Sequence, residues 1–172
     1  MIQSRKTSRL IAMATAALLW SPTPGLAAPL SAPPAFDVAG RTPVLVLHAE
    51  GAQVYACKLG PGGALAWTFR EPIATLIGAD GQTVGRHYAG PTWALDDGEA
   101  VKGKLLASLP GASPRDVALL KLSVAEHRGA GALAGVQLVL RLNTQGGALA
   151  GPCATQGELR AEPYSADYAF LP

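Results

Sequence analysis

Beyond residue 44 the chain alternates short apolar or alternating runs with glycine-bearing turns. Residues 44–48 (VLVLH) run into AEGA, 53–59 (QVYACKL) into GPGG, and 64–70 (ALAWTFR) into Glu71-Pro72. Further runs follow at 73–77, 83–87, 92–95, 100–107, 117–127, 135–143 and 167–171. Runs of strand length with turn signals roughly every 8–12 residues predict an all-β antiparallel meander of about ten short strands. Such a meander forms a sandwich or a barrel, and the pattern leaves both open. No stretch carries a long helical period. SPRDVA at 113–118 predicts one short helix, with Ser113 as cap and Pro114 at its first position.

Alternation also sorts the side chains. In 137–143, Leu138, Leu140 and Leu142 share one face, opposite Gln137, Val139, Arg141 and Asn143. In 119–127, Leu120, Leu122 and Val124 oppose Lys121, Ser123 and His127. Each strand therefore has one apolar and one polar face, and the polar faces look either to bulk water or into a hydrated lumen. Asp80-Gly81 and Asp97-Gly98 lie between strand runs, as hairpin turns do, and GALAG occurs at both 131–135 and 147–151. Both echoes read as recurrent turn chemistry.

The residues before the meander divide in two. Arg5, Lys6 and Arg9 precede an apolar run at 10–20 and a small-residue end with Gly25 and Ala27. This is the pattern of a cleaved secretory signal, residues 1–27, with no membrane-spanning segment left after cleavage. Residues 28–43 (APLSAPPAFDVAGRTP) form an extended lead-in, with Phe36 and Val38 candidates to pack onto a single β domain at 44–172.

Losing the signal removes three cations and no acids, so the net charge of +2 becomes −1. A nearly neutral mature domain offers no electrostatic ground for nucleic acid as a partner. Export to the periplasm or the medium also settles how the cysteines are read. Cys57 and Cys153 are the only two, and in an oxidising compartment they are expected to form a disulfide.

Candidate chemistry concentrates in residues 83–97, TVGRHYAGPTWALDD. Arg86, His87, Tyr88 and Trp93, with Asp96 and Asp97, supply a cation, an imidazole, ring faces and carboxylates, the groups a ligand pocket needs. His48 and Glu50 are two apart and share a face if their strand continues, although Glu50-Gly51 reads as a turn. Arg70 is a further candidate; it and Glu71 are adjacent and so point apart within a strand, with Trp67 and Phe69 assigned to the core. The three histidines lack tight metal-ligand spacing, so no metal is expected. Gly129–Ala134 has the G-x-G-x-x-A form of a dinucleotide fingerprint but opens onto a strand instead of the helix that must hold a pyrophosphate. No cofactor is therefore expected.

The best reading is a binding domain for a small polar ligand or a cell-envelope component, at the surface carrying Arg86, His87 and Trp93. The first alternative is an enzyme using His87, or His48 with Glu50, for general acid–base chemistry. The second is a purely structural module.

LHAEGAQVYAC, WTFREPIATLI, GRHYAGPTW, RLNTQGG and PYSADYAF, taken in order, resemble a family of small exported bacterial and fungal proteins catalogued as a domain of unknown function. The resemblance runs from residue 44 to the C-terminus. It implies export and a single domain, and brings no catalytic residues to transfer. Some fungal members carry a malate dehydrogenase label, which the failed fingerprint of this chain does not support.

Overall fold

A computed structural model describes residues 31–172. The expected signal, 1–27, and the first lead-in residues lie outside the described residues. Eight strands, β1 (Leu45–Leu59), β2 (Leu65–Ile77), β3 (Thr83–Tyr88), β4 (Thr92–Leu95), β5 (Ala100–Leu109), β6 (Leu119–Arg128), β7 (Leu138–Gly146) and β8 (Leu159–Leu171), follow one another as antiparallel neighbours. Pairing of β8 with β1 closes the sheet into a barrel, which removes every free edge along the paired rows.

The all-β meander is as expected, but it has eight strands and not ten, because two expected breaks are not breaks. AEGA continues β1: Glu50 pairs with Thr75 and Gly51 with Ala74 in an unbroken ladder. Gly51 is there for close approach, since a Cβ would meet the Ile73 carbonyl oxygen at 2.1 Å. Glu71-Pro72 likewise sits inside β2. Pro72 costs no ladder bond on its second side, because β3 begins to pair only at Ala74. The short helix expected at 113–118 is a single turn, in which the Ser113 carbonyl accepts from the Asp116 N–H and its hydroxyl from the Arg115 N–H.

Inward-facing residues build the core. Leu47, Leu76, Trp93, Val101, Leu122, Val139, Tyr168 and Phe170 are all at most 2% exposed and belong to one cluster. On β6 the apolar face turns inward as alternation suggests. On β7 it turns outward. Leu140 and Leu142 join Ala169, Leu171 and the fully buried Phe36 of the lead-in in a second cluster on the barrel's outer wall. The lead-in thus seals an apolar outer strip, its chain tied down by Lys121 Nζ donating to the Phe36 carbonyl. This frees the other face of β7, with Val139 and Arg141, to point into the lumen.

The two ends of the barrel differ. At one end the 129–136 connection folds across the opening and inserts Leu133 and Val136 into the core. The buried Glu99 carboxylate holds it there by accepting the N–H groups of Gly131 and Leu133, the latter at 2.9 Å. Gly131 admits this contact, since a Cβ would lie 2.3 Å from Glu99 Oε1. At the other end the connections 89–91, 111–118 and 147–158 border an opening, the last two joined by the Ala148 N–H donating to the Arg115 carbonyl.

Candidate functional site

The open end leads into a cavity of about 670 Å³. Pro72, Val117, Leu120 and Leu149 give it apolar walls, Phe69 stands half-exposed among the lining residues, and Gln53, His87 and Arg141 supply polar groups. Every one of those polar side chains is delivered by strand alternation. Gln53 faces Pro72 across β1 and β2, His87 faces Trp93 across β3 and β4, and Arg141 faces Leu120 and Tyr168 across β6, β7 and β8.

His87 is 2% exposed. Its Nδ1 lies 2.9 Å from the Thr92 carbonyl oxygen, which can only accept, so Nδ1 carries the proton and Nε2 is the acceptor of the neutral ring. The ring stacks on Trp93 with centroids 4.7 Å apart and planes 10° apart, and meets Tyr168 at 4.9 Å. Burial lowers its pKa to about 4, partly offset by the Thr92 bond, and nearby Arg141 pushes the same way as burial. The ring is therefore neutral near pH 7.

Arg141 Nε donates to the Ala118 carbonyl at 2.9 Å, which leaves the rest of the guanidinium for the cavity and for the neighbouring Tyr168 hydroxyl. Tyr164 and Tyr168 hydroxyls lie 3.5 Å apart, and burial drives both phenol pKa values up. Gln53 is 1% exposed, and its Nε2, near Tyr164, lacks a properly formed hydrogen bond.

The rim is held covalently. Cys57 and Cys153 form the expected disulfide, linking β1 to the β7–β8 connection across 96 residues. Trp67 N–H donates to the Gly151 carbonyl and the Tyr55 hydroxyl to that of Gly147, at 3.1 and 2.7 Å. Leu149 and Ala150 of this pinned loop line the cavity.

The candidates named from sequence separate across the barrel wall. His87 and Trp93 are inside and in contact, though Trp93 is sealed core, 1% exposed, and not part of an open surface. Arg86 and Tyr88 alternate to the outside. Arg70 does reach the cavity mouth. It is the extra residue of a bulge where Val54 pairs with Glu71 and Tyr55 with Phe69. The same bulge breaks the alternation that would part Arg70 from Glu71, and their side chains pair at 3.0 Å.

His48 and Glu50 share the outer face of β1, 3.6 Å apart, because the strand does continue. Asp167 of β8 joins them. Its carboxylate accepts from His48 Nδ1 and from Asn143, each at 2.7 Å. His127 is elsewhere again, donating to the Val136 carbonyl at 2.7 Å beside an outer groove shared with Tyr88. So the three histidines do not converge, and among the described residues no group of three or more His, Cys, Asp or Glu side chains is placed to hold a metal.

A family model described as Protein of unknown function (DUF3455) matches residues 38–172. The chain belongs to this family. No curated protein and no solved structure matches it. Within this family member, sequence reading missed Arg141, Gln53 and Glu99. Arg141 was visible only as the polar partner of an apparently core-facing leucine row. Glu99 binds a loop more than thirty positions away, a pairing that no local pattern signals.

Proposed function

We propose that this protein is an exported binding domain that holds a small molecule in the open end of its barrel. The observation that carries this reading is the cavity of about 670 Å³, apolar on its walls and supplied with polar groups by Arg141, His87 and Gln53. Ligand sites have this composition, with volumes of roughly 300–1,000 Å³. An eight-stranded barrel is wide enough to hold one small ligand, provided its interior is not filled by side chains. The proposed site is thus the lumen and not the outer surface of Arg86 and Tyr88.

The enzyme alternative draws less support. A general acid or base works best with a pKa near the operating pH, and His87 lies well below neutrality. His48, Glu50 and Asp167 sit on the outer wall and line neither cavity. Export is supported by the disulfide, which persists in oxidising compartments. No helix among the described residues is long and apolar enough to cross a membrane. N-terminal sequencing of the mature protein should begin at Ala28; an intact Met1 on the exported protein would refute the cleavage.

The binding reading is tested with N-phenyl-1-naphthylamine, a neutral apolar dye that fluoresces on leaving water. Saturable binding with one site per chain, lost on Ala118→Trp, which fills the cavity from its wall, is the expected outcome. Unsaturable binding, or binding unaltered by Ala118→Trp in a folded variant, would overturn it.

A further inference from the structure

The charges around the cavity select among ligands, an inference that rests on the reading of the open end as a ligand site. Arg141 is a cation on the inward face of β7, and among the described residues no carboxylate lies within ion-pairing distance of it. Each group able to neutralise it is spoken for. Tyr164 and Tyr168 remain protonated phenols because burial disfavours their anions, and Tyr55, raised for the same reason, donates to Gly147. Asp116 at the mouth accepts the Gly146 N–H at 2.7 Å. Arg70, the other cation on the lining, is satisfied by Glu71.

His87 adds no charge near neutrality, and the Asp116 carboxylate at the mouth has Arg115 as its charged neighbour, so among the described residues Arg141 is the lining cation without an ion-pair partner. Behind the lining, Gln53 Nε2 is sealed from solvent without a full hydrogen bond. A partly desolvated cation with spare donors is costly unless an anion meets it, and a guanidinium fork matches a carboxylate in a bidentate manner. Around Arg141 the walls are apolar, through Leu120, Val117, Pro72 and Leu149. One charge beside an apolar shaft fits one anionic head on an apolar body. A polyanion would bring charges that nothing here neutralises, and a cation would meet Arg141 head-on.

We propose that the site takes an amphipathic monocarboxylate, its carboxylate on Arg141 and its apolar body along Leu120, Val117 and Pro72. The ligand completes the pairing that the protein leaves open.

The test displaces bound N-phenyl-1-naphthylamine with decanoate, decanol and decylamine, which share a chain and differ in the head. Wild type should release the dye to decanoate at a concentration at least about thirtyfold lower than to decanol, the scale expected of a partly buried charge pair. Decylamine should be the weakest of the three. In Arg141→Gln the decanoate-to-decanol ratio should fall to near one, with Arg141→Lys between. Dye that binds wild type and yields equally to decanoate and decanol would overturn the monocarboxylate assignment while leaving the cavity reading intact. Dye that fails to bind wild type would overturn both. The wild-type comparison decides the matter even if Arg141→Gln fails to fold.

Discussion

The two ends of this barrel handle an inward-facing charge in opposite ways. At the closed end the Glu99 carboxylate is fully engaged, accepting two backbone N–H groups of the connection that it draws across the opening. At the open end Arg141 has one backbone bond, to Ala118, and among the described residues no counter-ion. A charge satisfied within the chain closes a structure, whereas a charge left unsatisfied beside a void is available to a ligand. The same glycine-rich chemistry serves both ends. Residues 129–136 are a plug, and residues 147–151 are a wall pinned by a disulfide.

The largest expected effect tests what keeps the open end open. Replacing both cysteines, Cys57→Ala with Cys153→Ala, should lower the unfolding free energy by about 4–5 kcal/mol, as expected for a closed loop of roughly a hundred residues. Urea denaturation gives the number, and hydrogen exchange should show protection lost around residues 147–158 first. Equal loss at both ends would erase the distinction drawn here.

Glu99→Ala is the matching cut at the closed end. It strands the buried Leu133 N–H and the part-buried Gly131 N–H and should cost about 3 kcal/mol, given that hydrogen bonds to charged groups contribute roughly 1.5–3 kcal/mol each. The amides of Gly131 and Leu133 should exchange faster, while dye binding at the far end persists. Lost dye binding in a folded Glu99→Ala protein would mean that the ends are coupled.

The pH dependence of stability reports on His87. Its folded pKa of about 4 lies below the ordinary 6.5, so the unfolded chain takes up the proton more readily. The stability is fully present above pH 6.5 and drains away as pH falls toward 4, by about 3 kcal/mol in all. The charged and titratable neighbours in the lumen, Arg141 and Tyr168, do not change state in this window. Denaturation curves from pH 7 to 4 should therefore be steeper for wild type than for His87→Phe. Parallel curves would place the imidazole in a wetter setting than the structure does.

The smallest effects should come from the outer wall. Arg86→Ala and Tyr88→Ala should each change stability by less than about 0.5 kcal/mol, as exposed positions do, and leave dye affinity alone. His48→Ala, which breaks a half-exposed contact with Asp167, should cost no more than about 1 kcal/mol. A tenfold loss of dye affinity in any of these three would move the site outside the barrel.

Much of this protein was legible one strand at a time. Period-two alternation and turn residues are local signals, and they suffice for an all-β meander. Two cysteines behind an expected secretory leader leave each other as the one available pairing, so the disulfide followed from composition and context. The stacking of His87 on Trp93 was half-visible, because Ala89-Gly90-Pro91 is a hairpin connection and places these two residues opposite each other. Strand counting failed where a local cue was overruled. Gly51 and Pro72 look like breaks, yet tertiary pairing carries β1 and β2 through them.

Only the closed tertiary structure decided which side of each strand is inside. Alternation divides residues into two sets but does not label them, and the apolar set on β7 turned outward because Phe36 of the lead-in covers it. Barrel closure then brought Arg141, His87 and Gln53 from three separate strands into one lumen, and carried His48 and His127 away from it. Contacts between residues distant in sequence depend on strand register, curvature and the hand of closure. These are properties of the whole sheet, and no window along the chain contains them.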